Sequence, residues 1–305
     1  MPVKNIIPEH YTLKQKTKIS NELCSVSEDE AIADFEKLKT IGKDAGEMGL
    51  SQVGNKVVNR FTHLERLNTT TKSGLSFFDL LNNKTRLAYP SIDKLLKYYG
   101  VDRKTADVKN WKHIMELYFG SVNIFRPLIA MDIYSRYKPK SILDMTMGWG
   151  GRMVGACALN IDTYTGIDFN KNLEKPYGEL QNLMNGLSTT KTNLYFEDAV
   201  KFNYKKIKYD LVLTSPPYYN IEIYNGTPVK SKDDWDKDFY IPLIKKSFQG
   251  LQKGGHYCLN IPIELFERVA VKLLGEPTDK IQLKKAKRRS GVKETYHEYI
   301  YVWRK

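Results

Sequence analysis

The chain has 305 residues, 41 % hydrophobic and 27 % charged, so it is long enough to bury one large core or two smaller ones. No run of about 18 apolar residues occurs, which excludes a membrane-spanning helix, and the N-terminal segment lacks the apolar core of a secretion signal. Three widely spaced cysteines, Cys24, Cys157 and Cys258, form neither a disulfide framework nor a zinc pattern. We therefore expect an intracellular protein that is not secreted, does not enter a membrane and binds no metal.

The charge balance favours a polyanionic partner. There are 48 Lys and Arg against 35 Asp and Glu, a net charge of +13. Eleven basic and four acidic residues lie from Arg268 to Lys305, so this last segment carries +7. One cluster within it could bind nucleic-acid phosphates, or could be a solvated turn or a localisation signal. The members of this basic cluster are Lys284, Lys285, Lys287, Arg288 and Arg289.

Residues 1 to about 120 have a helical pattern. A capping box, Ser27 to Glu30, precedes apolar residues at helical spacing, and a second amphipathic stretch runs from Val53 to Leu67. The polar segment 68–74 is predicted to be a loop. A short helix over 90–100 and two further helices that end before Pro139 complete this region, which could take part in nucleic-acid recognition.

After Pro139 strand-like apolar runs alternate with helical ones. This alternation is typical of a parallel sheet covered by helices. A helix from about Asp234 to Leu251 leads to another buried strand, and the last 25 residues indicate two strands joined by a basic turn. The sequence therefore predicts an α/β protein with a mixed sheet. A helical region, 1–120, precedes a catalytic domain, 121–305, that ends in a basic hairpin.

Glycines follow the first strand of this series. In "ILDMTMGWGG" the order Asp144, Gly148, Gly150 is the Asp-x-x-x-Gly-x-Gly turn that binds the nucleoside in S-adenosylmethionine (SAM) methyltransferases. The dinucleotide fingerprint is excluded, because Met153 occupies its third glycine position. Asp168 ends the next strand and could accept both ribose hydroxyls, while Asp198 could accept from an adenine amino group. Taken singly, these residues also fit a turn without ligand, a helix cap or a loop acid.

The segment "TSPPY" ends the fourth strand. Pro216 and Pro217 give up backbone donors and fix φ, so the chain leaves the strand stiffly. The Ser215 side chain and the Pro216 carbonyl can then accept both hydrogens of an exocyclic base amine, whose lone pair is otherwise conjugated into the ring. Tyr218 offers a face on which a flipped base can stack. The alternative is a structural loop with a packed tyrosine.

The combination "FRP…GWGGR…TSPPY" resembles the nucleic-acid amino-methyltransferase family, with its (D/N/S)PP(Y/F/W) signature, and is similar to DNA methyltransferases of phages and large viruses. The resemblance covers 123–262 and implies a Rossmann-like SAM-methyltransferase sheet. It also implies direct in-line methyl transfer to cytosine N4 or adenine N6 of a flipped base, with the serine favouring cytosine. The implied catalytic residues are Ser215, Pro216, Pro217 and Tyr218, and the implied cofactor residues are Phe125, Arg126, Asp144, Thr146, Gly148, Gly150, Asp168 and Asp198.

Several alternatives stay open at this point. DNA is favoured over RNA as the substrate, but related signatures occur on RNA enzymes, and a non-catalytic nucleic-acid-binding protein could keep the same fold. No separate target-recognition domain follows the catalytic motif, so we expect recognition by the helical region or the basic hairpin. The target sequence, the strandedness of the substrate, the oligomeric state and any restriction partner do not follow from the sequence.

Overall fold

The computed structural model describes residues 6–7, 9–87, 89–220, 222–223, 230–283 and 298–305. The region before the sheet is helical, as predicted. Its helices are α1 (Leu13–Leu23), α2 (Glu28–Ile41), α3 (Asn55–Asn68), α4 (Phe77–Asn83), α5 (Pro90–Tyr98), α6 (Val108–Ile114) and α7 (Pro127–Tyr137), with a 3-10 helix (Gly42–Met48) after α2 and a π-helix (Met115–Phe119) after α6.

Side-chain caps determine where several of these helices begin. The predicted box is present at α2, where Ser27 accepts from the Glu30 backbone N–H at 3.1 Å and Glu30 accepts from the Ser27 backbone N–H at 3.0 Å. Ser76 and Asp79 cap α4 in the same way. Each box satisfies two backbone donors that have no partner inside the helix.

A seven-stranded sheet forms the centre of the second part of the chain. Its strands are β2 (Ser141–Asp144), β3 (Thr163–Ile167), β4 (Lys191–Tyr195), β5 (Leu211–Thr214), β7 (His256–Ile261), β8 (Asp279–Leu283) and β9 (Glu298–Arg304). The strand order is β4-β3-β2-β5-β7-β9-β8; β9 runs antiparallel to both of its neighbours and the other pairs are parallel. This confirms the predicted mixed, Rossmann-like α/β sheet.

Helices cover the sheet because its central strands are apolar on both faces; all four residues of β5, for example, are buried. The connections are α8 (Gly151–Ala158), α9 (Glu174–Leu187), α10 (Lys232–Trp235), α11 (Ile241–Gly250), α12 (Ile263–Leu265) and α13 (Val271–Leu274), with 3-10 turns at Lys171–Leu173 and Tyr204–Lys206 and π-helical turns at Asp236–Tyr240 and Phe266–Ala270.

Part of the helical region shares its core with the sheet. Phe35 and Leu38 of α2 and Val57 of α3 lie in one apolar cluster with Ile142 of β2 and Met153 of α8, all fully buried. Helices α4 to α6 have a separate cluster of their own around Trp111. The division at residue 120 stays a prediction, and α2 and α3 pack against the sheet as parts of the same core.

The prediction of a polar loop over 68–74 is wrong in one respect. Thr70 and Thr71 form a short strand, β1 (Thr70–Thr71), paired antiparallel with β6 (Glu222–Ile223). A two-residue strand in a threonine-rich polar segment has no periodicity to reveal it, and its partner is distant in the chain. The C-terminal strand pair β8–β9 is confirmed as antiparallel, while the basic cluster between them lies outside the described residues.

Candidate active site

The two predicted motifs lie side by side. β2 and β5 are parallel neighbours, with Ile142 opposite Leu211, so the turn after β2 and the loop after β5 leave the same edge of the sheet. The chain order also reverses here, since β3 and β4 extend one way from β2 while β5 lies on its other side. Such a switch point leaves a crevice at the carboxyl ends of the strands, where ligands bind in open α/β sheets.

A hydroxyl bridge joins the turn to the loop. Thr214 is fully buried and donates to Asp144 Oδ1 at 3.0 Å. The Thr146 hydroxyl lies 2.8 Å from that of Thr214, and it must be the donor because the Thr214 proton is already committed. The residue at the base of the diproline loop is therefore held by the turn after β2.

Asp144 is a buried structural acceptor. Its Oδ2 accepts from Arg152 Nε and from the Tyr164 hydroxyl, each at 2.7 Å, and its Oδ1 accepts from Thr214. Arg152 also donates to the Thr146 carbonyl, and the Asp144 carboxylate helps to raise the pKa of this buried guanidinium. Both carboxylate oxygens thus bond to the protein, and any effect of Asp144 on a ligand passes through the shape of the turn.

Glycine is required in this turn for two separate reasons. Gly148 and Gly150 have φ of 55° and 94°, in the left-handed region that favours glycine. At Gly151 a Cβ atom would collide with the Phe125 carbonyl oxygen, so glycine allows the segment before α7 to lie against the start of α8. At Gly148, by contrast, a Cβ would make only ordinary van der Waals contacts, with the Thr146 carbonyl oxygen at 3.8 Å and Arg152 Nη2 at 4.0 Å.

Asp168 faces this turn from the end of β3. Its Oδ2 accepts from the Gly148 backbone N–H at 2.8 Å, and its Oδ1 accepts from the Asn170 backbone N–H at 2.9 Å. Each oxygen keeps a lone pair for a further donor. Burial raises the pKa of Asp168 to about 6, against the opposing effect of the two N–H donors. The carboxylate is thus fixed in direction and ready to accept from a vicinal diol.

The other predicted cofactor residues surround the turn less directly. Asp198 Oδ1 accepts from the Val200 backbone N–H at 2.8 Å and shapes the turn after β4. The Phe125 ring lies 4.9 Å from the Arg152 guanidinium carbon, as a cation–π pair. Arg126 points towards the helical region, where it donates to the carbonyls of Gly49 and Ser51 at 3.1 and 3.2 Å.

The diproline loop contains Ser215 and Pro216, the residues predicted to accept from a base amine. Ser215 and Tyr218 are half-buried and Pro216 is buried. The Ser215 hydroxyl lies 3.1 Å from both the Tyr218 hydroxyl and Asn260 Oδ1. The Tyr218 hydroxyl in turn lies 3.0 Å from Asn260 Oδ1 and from the Asn260 backbone oxygen. Among the described residues, none donates to the Pro216 carbonyl.

A tyrosine clamps the loop from behind. The Tyr240 hydroxyl donates to the Pro217 carbonyl and accepts from the Tyr219 backbone N–H at 2.8 Å. Tyr219 is in the left-handed region with φ of 54°, a strained conformation for a tyrosine. Its hydroxyl donates to Asp236 at 3.0 Å, and Arg268 donates to the same carboxylate at 2.9 Å. These bonds hold the backbone that directs Pro216 and Tyr218.

Three residues of the site were missed by sequence reasoning: Arg152, Tyr240 and Asn260. Arg152 had a signal, because it follows the glycine turn in "GWGGR" and a buried acid at Asp144 needs a counter-charge. Tyr240 and Asn260 had none. Each lies in an apolar stretch and meets the loop only through the tertiary fold.

No protein-family model matches the sequence, and no curated protein matches it either. Some solved structures have a similar chain fold. A Streptococcus mutans protein assigned as a SAM-dependent methyltransferase is 17 % identical, with a TM-score of 0.41 over 53 % of this chain and 44 % of its own. An rRNA methylase from Streptococcus thermophilus is 14 % identical, with a TM-score of 0.40 over 60 % of this chain and 99 % of its own. The tRNA (m1A58) methyltransferase TrmI of Aquifex aeolicus is 13 % identical, with a TM-score of 0.40 over 60 % and 70 %.

The chain spans less than half the length of the first of these proteins. At such identities and scores the similarity concerns the fold alone and transfers neither activity nor substrate. Two properties can be stated for the described ranges themselves. They contain no cluster of three or more His, Cys, Asp or Glu side chains placed to hold a metal ion. None of the helices within them is long and apolar enough to cross a bilayer.

Proposed function

We propose that the protein is a SAM-dependent DNA methyltransferase that modifies an exocyclic base amine, cytosine N4 or adenine N6. One observation carries the proposal. Asp168 accepts from the Gly148 backbone N–H of the turn after β2, and the Thr146–Thr214 contact of 2.8 Å joins this turn to the loop that carries Ser215 and Pro216. A cofactor position and a base position are thereby linked at the switch point of the sheet.

The residues of the turn fit the cofactor. Gly148 has no side chain and is half-buried, so a ligand can approach its backbone closely, and Asp168 offers one lone pair per oxygen to a ribose diol. Asp198, at the end of β4, is proposed to accept from the adenine amino group. Phe125, Arg126, Asp144, Thr146 and Gly150 are proposed to hold the cofactor chiefly through the shape of this pocket. When bound, SAM supplies an electrophilic methyl group on a sulfonium.

The diproline loop is proposed to prepare the nucleophile. The Pro216 carbonyl and the Ser215 hydroxyl oxygen accept the two amine hydrogens, which favours a pyramidal nitrogen with a localised lone pair. The Tyr218 ring stacks on the base, which must leave the duplex to reach it. Because Pro217 and Tyr219 are both bonded to Tyr240, the acceptors are positioned before the base arrives, and this reduces the ordering cost of the reaction.

Methyl transfer from labelled SAM tests the proposal. Wild-type protein and Pro216→Ala are incubated with duplex DNA, single-stranded DNA and RNA, and the labelled nucleosides are identified by chromatography and mass spectrometry. We expect N4-methylcytosine or N6-methyladenine in DNA from the wild type and at least about a hundredfold less from the variant.

Other outcomes would reject parts of this assignment. Label in RNA alone would make the protein an RNA methyltransferase. SAM binding without transfer to any nucleic acid would favour a non-catalytic binding protein. A methyl group on a ring carbon or a ring nitrogen would contradict the amine mechanism.

A further inference from the structure

Asn260 lies behind the diproline loop and has no role in the proposed function so far. It is the fifth residue of β7, next to β5 in the sheet, and only 2 % of its surface is exposed. Its Nδ2 donates to the Tyr299 carbonyl on β9 at 3.0 Å. This bond fixes the amide plane and turns Oδ1 towards the Ser215 and Tyr218 hydroxyls, at 3.1 and 3.0 Å.

The direction of the hydrogen bonds follows from the chemistry of these groups. An amide oxygen carries no proton, so each hydroxyl that bonds to it must donate. Tyr218 has a second acceptor in the Asn260 backbone oxygen at 3.0 Å. Ser215 donates its proton to Asn260 Oδ1 at 3.1 Å, so Asn260 determines where this proton points. The Ser215 oxygen then faces the base position with a lone pair and no proton.

This arrangement has a consequence for base selection. The Pro216 carbonyl can only accept, and Ser215 with its proton engaged by Asn260 can also only accept. A base with an amino group supplies two donors and satisfies both. A base with a keto oxygen at the same ring position supplies an acceptor, which would meet two acceptors. Sites that leave buried polar groups unpaired reject such analogues strongly.

We propose that Asn260 is a positioning residue that makes Ser215 a pure hydrogen-bond acceptor and thereby selects amino bases over their keto counterparts. The inference rests on the proposed function. It concerns discrimination of cytosine from uracil, or of adenine from hypoxanthine, at the target position. A merely structural Asn260 would affect binding of both bases alike.

Comparison of the dissociation constants of two oligonucleotides provides the test. The probe is an oligonucleotide that the wild-type protein methylates, and its partner carries the keto counterpart at the methylated position. Dissociation constants of both are measured by fluorescence anisotropy with S-adenosylhomocysteine present, so that no turnover occurs. We expect the wild type to prefer the amino base by at least about tenfold. In Asn260→Ala this ratio should fall towards one, while SAM affinity stays within about threefold.

Two further variants keep the test decisive. Asn193→Ala, which removes an asparagine from β4, serves as a control and should leave the ratio unchanged. Ser215 is only half-buried, so Ser215→Ala loses one acceptor without opening the core. It should lower the ratio of the two dissociation constants even if Asn260→Ala fails to fold.

Equal weakening of both oligonucleotides in Asn260→Ala or Ser215→Ala, with the ratio preserved, would overturn the inference. That result differs from a failure of the proposed function. In the latter case the wild-type protein would methylate no base amine, and the probe could not be chosen.

Discussion

At the residue scale, the Asp168 carboxylate is held in a fixed direction, and its pKa is raised. Burial raises the pKa of its carboxyl to about 6, whereas in the unfolded chain the same carboxyl titrates near its ordinary value of 3.8. Between about pH 4 and 6 the folded protein therefore holds a proton that the unfolded chain has lost. Its contribution to the free energy of unfolding falls as the pH rises through this window. The site thus gives up some stability to present a charged acceptor at neutral pH.

The same pKa predicts how SAM affinity depends on pH. Ribose hydroxyls must donate to an ionised Asp168, so we expect affinity to decrease by about tenfold per pH unit well below pH 6 and to level off above about pH 7. Asp168→Ala should lose most of the affinity, and Asp168→Asn should bind weakly with little dependence on pH. Isothermal titration calorimetry from pH 5 to 8 measures the SAM dissociation constant of the wild type and of both variants. A wild-type affinity that stays constant over that range would exclude Asp168 as the ribose acceptor.

Tyr218 is expected to matter through its hydroxyl as well as its ring. Stacking alone predicts a mild effect of Tyr218→Phe, but the hydroxyl bonds to Asn260 and lies 3.1 Å from Ser215. Loss of a neutral hydrogen bond costs about 1 kcal/mol, so we expect kcat to fall about fivefold in Tyr218→Phe. Tyr218→Ala also removes the stacking face and should lose at least about a hundredfold. Single-turnover methyl transfer measures both, with SAM affinity as the control. Full activity of Tyr218→Ala would contradict base stacking.

At the scale of elements, the sheet brings together the turn after β2 and the loop after β5, and hydrogen bonds of Thr214 link them. Thr214→Val keeps the shape of the side chain but leaves Asp144 Oδ1 and the Thr146 hydroxyl without this partner. We expect the free energy of unfolding to fall by about 1.5–3 kcal/mol, and both SAM affinity and methyl transfer to decrease, because both loops depend on the bridge.

A matched substitution separates this effect from a general loss of a buried hydroxyl. Thr165→Val changes another buried threonine, on β3, whose hydroxyl meets only Asn193 among the described residues, at 3.5 Å. It should cost less stability and leave both functions near wild type. Urea unfolding together with calorimetry compares the pair. A Thr214→Val protein that loses stability but keeps both functions would show that the loops are positioned independently.

The pairing of β1 with β6 connects the helical region to the chain just after the diproline loop. Proline at position 70 lacks a backbone donor and fixes φ, so Thr70→Pro should disrupt the pairing with Ile223. We expect methyl transfer to fall by about tenfold or more with unchanged SAM affinity, because the substrate side of the site loses a support. Thr70→Ala keeps the backbone donor and should retain activity. Equal activity of the two variants would show that this pairing has no part in catalysis.

The elements of this fold were predictable to different degrees. Buried apolar runs and the glycine turn indicated β2, β3 and β5 because their signals are local and continuous. Sequence patterns did not reveal β1, since two threonines in a polar segment have no strand periodicity. They did not reveal the contacts of Asn260 either, because this residue lies within a buried strand and bonds to Ser215, which follows β5, and to Tyr299 of β9. Local sequence thus indicated the groups that are proposed to face the ligands, while the groups that orient them depended on tertiary contacts.

At the scale of the whole molecule, part of the net charge of +13 would contact the proposed nucleic-acid substrate. Two regions are candidates. The helical region bears several exposed lysines, and the segment from Arg268 to Lys305 carries +7. Because each phosphate contact releases counterions, the number of contacts can be measured from the dependence of affinity on salt.

Neutralising the basic cluster therefore tests where phosphates are held. With Lys284, Lys285, Lys287, Arg288 and Arg289 all changed to Gln, we expect weaker binding to every duplex sequence alike. The slope of log affinity against log salt should fall by up to roughly 0.9 per lost contact. SAM affinity should not change. The control removes the same charge from exposed positions of the helical region: Lys14, Lys18, Lys37, Lys94 and Lys97. A lower slope in the control alone would place the phosphate contacts on the helices. A loss confined to one preferred sequence in the cluster variant would instead indicate that the basic cluster reads base edges.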